Sequence, residues 1–203
     1  MSQKITPVVL NIIIINVIVY LAAVSLSFMP DLAVYYPTMP QFKPYQLVTH
    51  FFMHSKAGFN HILFNMLGLF FLGPMVERTL GGKNFLILYI LSAFGALIAH
   101  FGVDYYQQVV YGIDRFPGLV GASGAIYGVV IAFVTLFPNT KLMLLFPPIP
   151  IKAKYLGLGY IAYDLYNGFM GSQTGTAHFA HLGGALTGFL LIKFFFNIYN
   201  KRP

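Results

Sequence analysis

Apolar residues fill this chain in runs of about twenty, the length at which a helix crosses the hydrocarbon core of a bilayer. Six such segments are predicted: Pro7–Phe28, Gly58–Val76, Phe85–Val103, Leu119–Phe137, Tyr155–Met170 and Ala177–Tyr199. The fifth is the shortest and contains glycines. Two connections break the pattern. Met29–Ala57 carries Pro30, Pro37, Pro40 and Pro44 among aromatic residues, and its apolar content places it on or partly in the membrane interface. Asn139–Lys154 holds the short apolar run Leu142–Phe146, then Pro147, Pro148 and Pro150. It is too short to span and too rich in proline for a helix, so an interfacial turn is expected.

Composition agrees. Of 203 residues, 58% are hydrophobic and 8% charged, against about 25% charged in soluble domains, and the mean hydropathy is +0.73. The expectation is one all-α, polytopic membrane domain over residues 1–203, a bundle of six transmembrane helices. Absence of cysteine excludes disulfides, thiolate metal sites and a cysteine nucleophile.

The net charge of +7 raises the question of nucleic acid, but the basic residues follow the membrane topology instead. With the N-terminus inside, Lys4, Arg78, Lys83, Lys141, Lys152, Lys154, Lys193, Lys201 and Arg202 are cytoplasmic. Only Lys43, Lys56 and Arg115 are outside, so the positive-inside bias places both termini in the cytoplasm and removes nucleic acid as a partner. Met1–Phe28 lacks a small-residue cleavage site and is expected to stay as the first helix.

In this topology the second, fourth and sixth segments enter from the same side. His61, Ser123 and His181 lie three or four residues into them, on the order of 5–10 Å below the outer surface. Polar groups at that depth are expensive and call for a function. Ser123 sits in Gly121-Ala-Ser-Gly-Ala125, whose small residues leave its hydroxyl uncovered; packing between helices is the plainer explanation of that motif alone. Tyr127, four residues on, shares its helix face. His181 is the candidate general base for Ser123, or else a buried histidine bonded to a neighbouring helix. Gly184 and Gly188 after it form a G-x-x-x-G pattern that permits close helix contact. His61 and Asn65 share a face and both can donate hydrogen bonds. Together with the Ser123 backbone N–H they suit an oxyanion, or they join helices.

Other polar residues remain open. His178 lies one turn before His181, and His50 and His54 form an i,i+4 pair of metal-binding spacing. No H-E-x-x-H occurs and no glutamate lies near these histidines, so no metal is assigned. His100 is read as incidental. Asp164, the single acid within a span, can orient His181 or bond tyrosines such as Tyr160 or Tyr163.

Taken together, H-x-x-x-N at His61–Asn65, G-x-S-G at Gly121–Gly124 and A-H-x-x-G at Ala180–Gly184 resemble the rhomboid family of intramembrane serine proteases. Pro44–Thr49, Glu77–Gly81 and the proline-rich turn before Lys152 echo the same family. The resemblance implies a Ser123–His181 dyad without an acid, and an oxyanion hole from His61, Asn65 and the Ser123 backbone. Tyr127 would lie against His181, with Gly121, Gly184 and Gly188 in support. It implies a six-helix bundle with a shortened fourth helix beneath a water-filled outer cavity, with no cofactor. The lack of a targeting extension and of soluble domains points to a prokaryotic plasma (inner) membrane. Substrates would be transmembrane segments of other proteins, entering from the bilayer near the fifth helix. They would be cut near the outer surface at small residues, with Gly171–Gly175 as a mobile cap. Unlike many members, this chain has no Trp-Arg pair in the first outer loop, having no tryptophan. The alternatives are a non-proteolytic protein that binds transmembrane helices and a transporter or metal handler. The halves show no obvious repeat, which speaks against the latter.

Overall fold

In a membrane protein the helix exteriors can be fully apolar while polar side chains turn inward. The computed structural model, which describes residues 4–26, 31–56, 58–113, 116–143, 148–170 and 177–196, follows that rule. Ile18, Phe64, Ile98, Phe169 and Phe194 point outward, whereas Asn16, Asn65, Glu77, Ser92, Asp164 and His181 are buried.

The elements in order are α1 (Pro7–Ser25), α2 (Gln46–Thr49), α3 (Phe59–Leu80), α4 (Gly82–Tyr111), α5 (Ser123–Leu136), β1 (Lys141–Met143), β2 (Pro150–Lys152), α6 (Ala153–Met170) and α7 (His178–Leu190). A π-helical turn, Leu191–Phe195, continues α7. Among the described residues, four helices are long and apolar enough to cross a membrane: α1, α3, α4, and α7 with its π turn. α5 is apolar but has only 14 residues, and α6 is not among the four.

Three expectations need correction. The segment expected to begin at Leu119 becomes helical only at Ser123. Leu119 instead pairs with Val34 through two backbone hydrogen bonds of 3.0 and 2.8 Å, and Gly121 takes φ 117°, which no helix admits. The third segment extends well past Val103 to Tyr111 and stops at Gly112 in the left-handed conformation. The expected interfacial turn contains a short antiparallel hairpin, Lys141–Met143 against Pro150–Lys152, which satisfies backbone groups that the prolines bar from a helix. The expected cap at Gly171–Gly175 lies outside the described residues.

α1 and α3 are joined by a carboxylate. Pro7 occupies the first helical position of α1, and Glu77 near the end of α3 accepts from the backbone N–H groups of Val8 (3.1 Å) and Val9 (2.9 Å) and from the Thr6 hydroxyl (2.5 Å). A negative charge there satisfies orphan donors and favours the positive end of the helix dipole. The Arg78 guanidinium donates to the Lys4 carbonyl beside it.

The segment between α1 and α3 is tied down from within. Buried Gln46 donates to the carbonyls of Gln41 (3.2 Å) and Asp31 (3.3 Å) and accepts from the Lys43 N–H (2.9 Å). The His50 ring donates from Nδ1 to the Gln46 carbonyl at 2.9 Å, and Phe51 enters the hydrophobic core. Burial in this segment lowers the imidazole of His50 to about 4. Burial, reinforced by repulsion from His61, does the same for His54.

α4, α5 and α7 meet where glycines remove all side chains. A Cβ on Gly184 would lie 2.0 Å from the Gly124 carbonyl oxygen, and one on Gly188 would lie 2.4 Å from that of Gly128. A Cβ on Gly124 would fall 2.3 Å from the Ala96 Cβ, and one on Gly183 2.4 Å from the Gly95 carbonyl.

Two measurements follow. In detergent, Gly184→Ala should lower stability by about 1–3 kcal/mol through overpacking, read as a fall in melting temperature. Gly102→Ala, which meets nothing within 4 Å, should be neutral or stabilising by up to about 1 kcal/mol. Equal effects from both variants would contradict the close seam. For pH, His50 and His54 have folded values near 4, below the roughly 6.5 of a solvated histidine. An opened segment therefore binds protons that the folded one refuses. Protection of residues 46–54 from amide exchange should be full above pH 6.5 and fall as pH drops toward 4, by on the order of 3 kcal/mol per histidine. Protection unchanged at pH 5 would contradict this.

Candidate active site

Ser123 opens α5 because the backbone before it cannot be helical. At φ 117° Gly121 turns the chain, and its N–H donates to the His50 carbonyl at 3.0 Å, tying the approach to α5 to the segment between α1 and α3. A Cβ at this position would lie 2.9 Å from Nε2 of His61 and 3.7 Å from Oγ of Ser123. Only a glycine lets the imidazole stand beside the hydroxyl. The leading N–H groups of a helix lack intrahelical acceptors, so the start of α5 presents donors and the positive end of its dipole next to Ser123.

His181 arrives from α7, in the turn held against α5 by Gly184. The Ser123 hydroxyl is hydrogen-bonded to its Nε2 at 2.9 Å. The ring of Tyr127, one turn along α5, stacks on the imidazole at 4.1 Å with 15° between planes. The opposite edge of the imidazole faces α6, with Nδ1 3.2 Å from Oδ1 of Asp164. Asp164 is 0% exposed, and the same oxygen lies 2.6 Å from Nδ1 of His178.

His61 is the third residue of α3, as Ser123 is the first of α5 and His181 the fourth of α7. All three therefore stand in the first turn of their helices. Asn65 lies one turn further along α3, buried, and donates from its side-chain amide to the His61 carbonyl at 2.9 Å. That bond leaves its second amide hydrogen for another acceptor. His54 packs its ring against His61 at 5.2 Å, and the Ser55 N–H donates to His61 Nδ1 at 3.5 Å. A small cleft beside Ser123 is lined by His50, Leu119, Gly121, Gly124, Ala125 and Ala180.

The sequence-predicted residues Ser123, His181, Tyr127, Gly121 and His61 thus converge, with Gly184 and Gly188 in the seam beneath them. His50 and His54 are not paired with each other: each ring nitrogen Nδ1 bonds a backbone carbonyl of its own segment. His100 sits beside Asp104, at 3.6 Å. Asp164, His178 and His181 bring three ligand-type atoms within 4.8 Å of one another. Two imidazoles converge on one carboxylate oxygen at hydrogen-bonding distance, an arrangement of donors around an acceptor rather than of ligands around an ion. The sequence offered Asp164, an acid alone in an apolar span, as a residue able to orient His181, but it did not foresee that His178 shares the same carboxylate oxygen.

Comparison with known proteins agrees with this geometry. A family model described as the Rhomboid domain matches residues 41–198. The chain is 34% identical over 148 residues to RHOMBOID-like protein 12, mitochondrial, of Arabidopsis thaliana, covering 68% of this chain and 43% of that protein. It is 32% identical over 149 residues to the putative rhomboid protease YdcA of Bacillus subtilis, covering 72% and 65%. With the rhomboid protease GlpG of Haemophilus influenzae it shares 29% identity over 178 residues, 86% of this chain and 83% of that protein. The chain spans less than two thirds of the length of the first two relatives. On the extent of the family match, this membrane protein belongs to the rhomboid family.

Proposed function

We propose that the protein is an intramembrane serine endopeptidase that cuts transmembrane segments of other membrane proteins. Ser123 is its nucleophile and His181 its base. The observation that carries the reading is the part-buried 2.9 Å hydrogen bond between the Ser123 hydroxyl and His181 Nε2 at the start of a helix. Relatives named as rhomboid proteases support it.

The steps follow from the geometry. As Ser123 Oγ attacks the scissile carbonyl carbon, its proton passes to His181 Nε2. The carbonyl oxygen becomes an oxyanion, received by the Ser123 backbone N–H with donors from His61 and Asn65. Each well-placed donor is worth about 3–4 kcal/mol in such a site. Collapse of the intermediate breaks the C–N bond while His181 returns the proton to the leaving nitrogen. Water, activated by the same imidazole, then releases the acyl group from Ser123. Tyr127 holds the ring plane throughout. The glycines and alanines of the cleft, Gly121, Gly124, Ala125 and Ala180, favour a small side chain at the cleaved bond.

The wider setting belongs to the same proposal. Residues 1–203 form one membrane domain, with α5 and α6 completing six crossings of a plasma membrane and both termini in the cytoplasm. Ser123, His61 and His181 in the first turns of three helices support a site at one depth near the outer face. A substrate helix shields its own carbonyls by hydrogen bonding, so it must unwind locally before attack.

With purified protein and a transmembrane substrate in proteoliposomes, Ser123→Ala and His181→Ala should each reduce the cleavage rate at least about a thousandfold. Melting temperatures should change little. Cleavage retained by either folded variant would reject the pair. Tight substrate binding with no cleavage by the unaltered protein would favour a helix-binding protein instead.

A further inference from the structure

We propose that Asp164 is the positioning acid of this site, so that Ser123, His181 and Asp164 form a triad supplied by α5, α7 and α6. This rests on the serine-protease reading above and goes beyond the acid-free dyad that the family resemblance implies.

The argument begins with the two edges of one ring. Nε2 of His181 faces Ser123 Oγ at 2.9 Å, and Nδ1 faces Asp164 Oδ1 at 3.2 Å. A neutral imidazole has one donor nitrogen and one acceptor nitrogen, and an ionised carboxylate only accepts. Facing the carboxylate, Nδ1 carries the hydrogen. Nε2 is then left with its lone pair toward the serine hydroxyl, the only tautomer in which it can take the serine proton. During attack the proton moves from Oγ to Nε2 as the Oγ–C bond forms, and it moves on to the leaving nitrogen as the C–N bond breaks. Asp164 gains no proton at any step. Its charge offsets that of the transient imidazolium.

Burial argues the same way. An ionised carboxylate without donors is costly in an apolar interior. Asp164 is 0% exposed, on a helix whose other buried residues are only Ala153 and Gly157. Tyr160 and Tyr163, the neighbours the sequence offered it, are more than two fifths exposed. The two imidazoles meet Oδ1, and the Tyr127 hydroxyl is a further donor toward the carboxylate. His178, at 2.6 Å, fixes the position of Oδ1, and His181 reads that position as an orientation. The His178 contact alone would suffice to brace α6 against α7. The His181 contact is the one that bears on chemistry. The titratable groups facing His181 are Asp164 on α6, Tyr127 on α5, His61 on α3 and His178 on its own helix.

The test compares unaltered protein, Asp164→Asn and Asp164→Glu on a fluorogenic transmembrane substrate in proteoliposomes across pH, with melting temperatures as a folding control. Asp164→Asn should lower kcat at least about 100-fold with KM within about threefold. The acidic limb of its kcat/KM profile should move to lower pH, and Asp164→Glu should recover at least about tenfold of the lost kcat. Nitrogen NMR of ¹⁵N-histidine-labelled unaltered protein should find the resting His181 protonated at Nδ1, a readout that needs no variant to fold. Protonation at Nε2 would overturn the proposal. So would an Asp164→Asn variant with unchanged kcat and an unmoved acidic limb, or one that loses only melting temperature. In those cases cleavage by the unaltered protein leaves the protease reading standing. Failure of the unaltered protein to cleave overturns that reading itself.

Discussion

Backbone contact between α5 and α7, at Gly124 with Gly184 and Gly128 with Gly188, fixes where Ser123 and His181 stand. With carbonyl oxygens about 2 Å from where side-chain carbons would lie, the two helices can come no closer. In lipid no hydrophobic force drives helices together, so association depends on close packing and interhelical hydrogen bonds. The seam supplies the packing, and the Ser123–His181 bond lies at its upper end. α4 closes the third side, where Ala96 and Gly95 take up the space that Gly124 and Gly183 leave.

From this seam the rest of the site is reached by short steps. The turn at Gly121 starts α5 at the serine and makes room for His61, so one glycine serves both helix geometry and access to the hydroxyl. The segment between α1 and α3 is fastened to the same turn through the His50 carbonyl. Its histidines are neutral because burial disfavours their charged forms, which links the order of that segment to pH. α6 touches the arrangement mainly through Asp164. A helix otherwise turned outward contributes a charge to the centre of the site.

Much of this was legible in the sequence because polar residues in apolar helices are conspicuous. His61, Ser123 and His181 announced themselves as residues that lipid would not tolerate without cause; hydropathy and Lys/Arg placement led to the expectation of a common depth, and each stands in the first turn of its helix. Gly184 and Gly188 were legible as a close-contact pattern, although their partners on α5 were not. The start of α5 escaped because hydropathy does not register a single positive φ at Gly121, and Leu119 reads as helix by composition alone. The hairpin at Lys141–Lys152 escaped because proline forbids a helix without stating what replaces it. Glu77 was read as a family echo; its action on the N-terminus of α1, some seventy residues away, has no local signature. Asp164 was legible as an acid able to orient His181, but its bond to His178 was not, since no periodicity connects α6 to that residue of α7.

The most direct test of the central claim is to treat detergent-purified protein with a fluorophosphonate and locate the adduct by mass spectrometry. An activated serine predicts one adduct, on Ser123, that disappears in folded His181→Ala protein. No adduct on the folded protein, or one on another residue, would contradict the account.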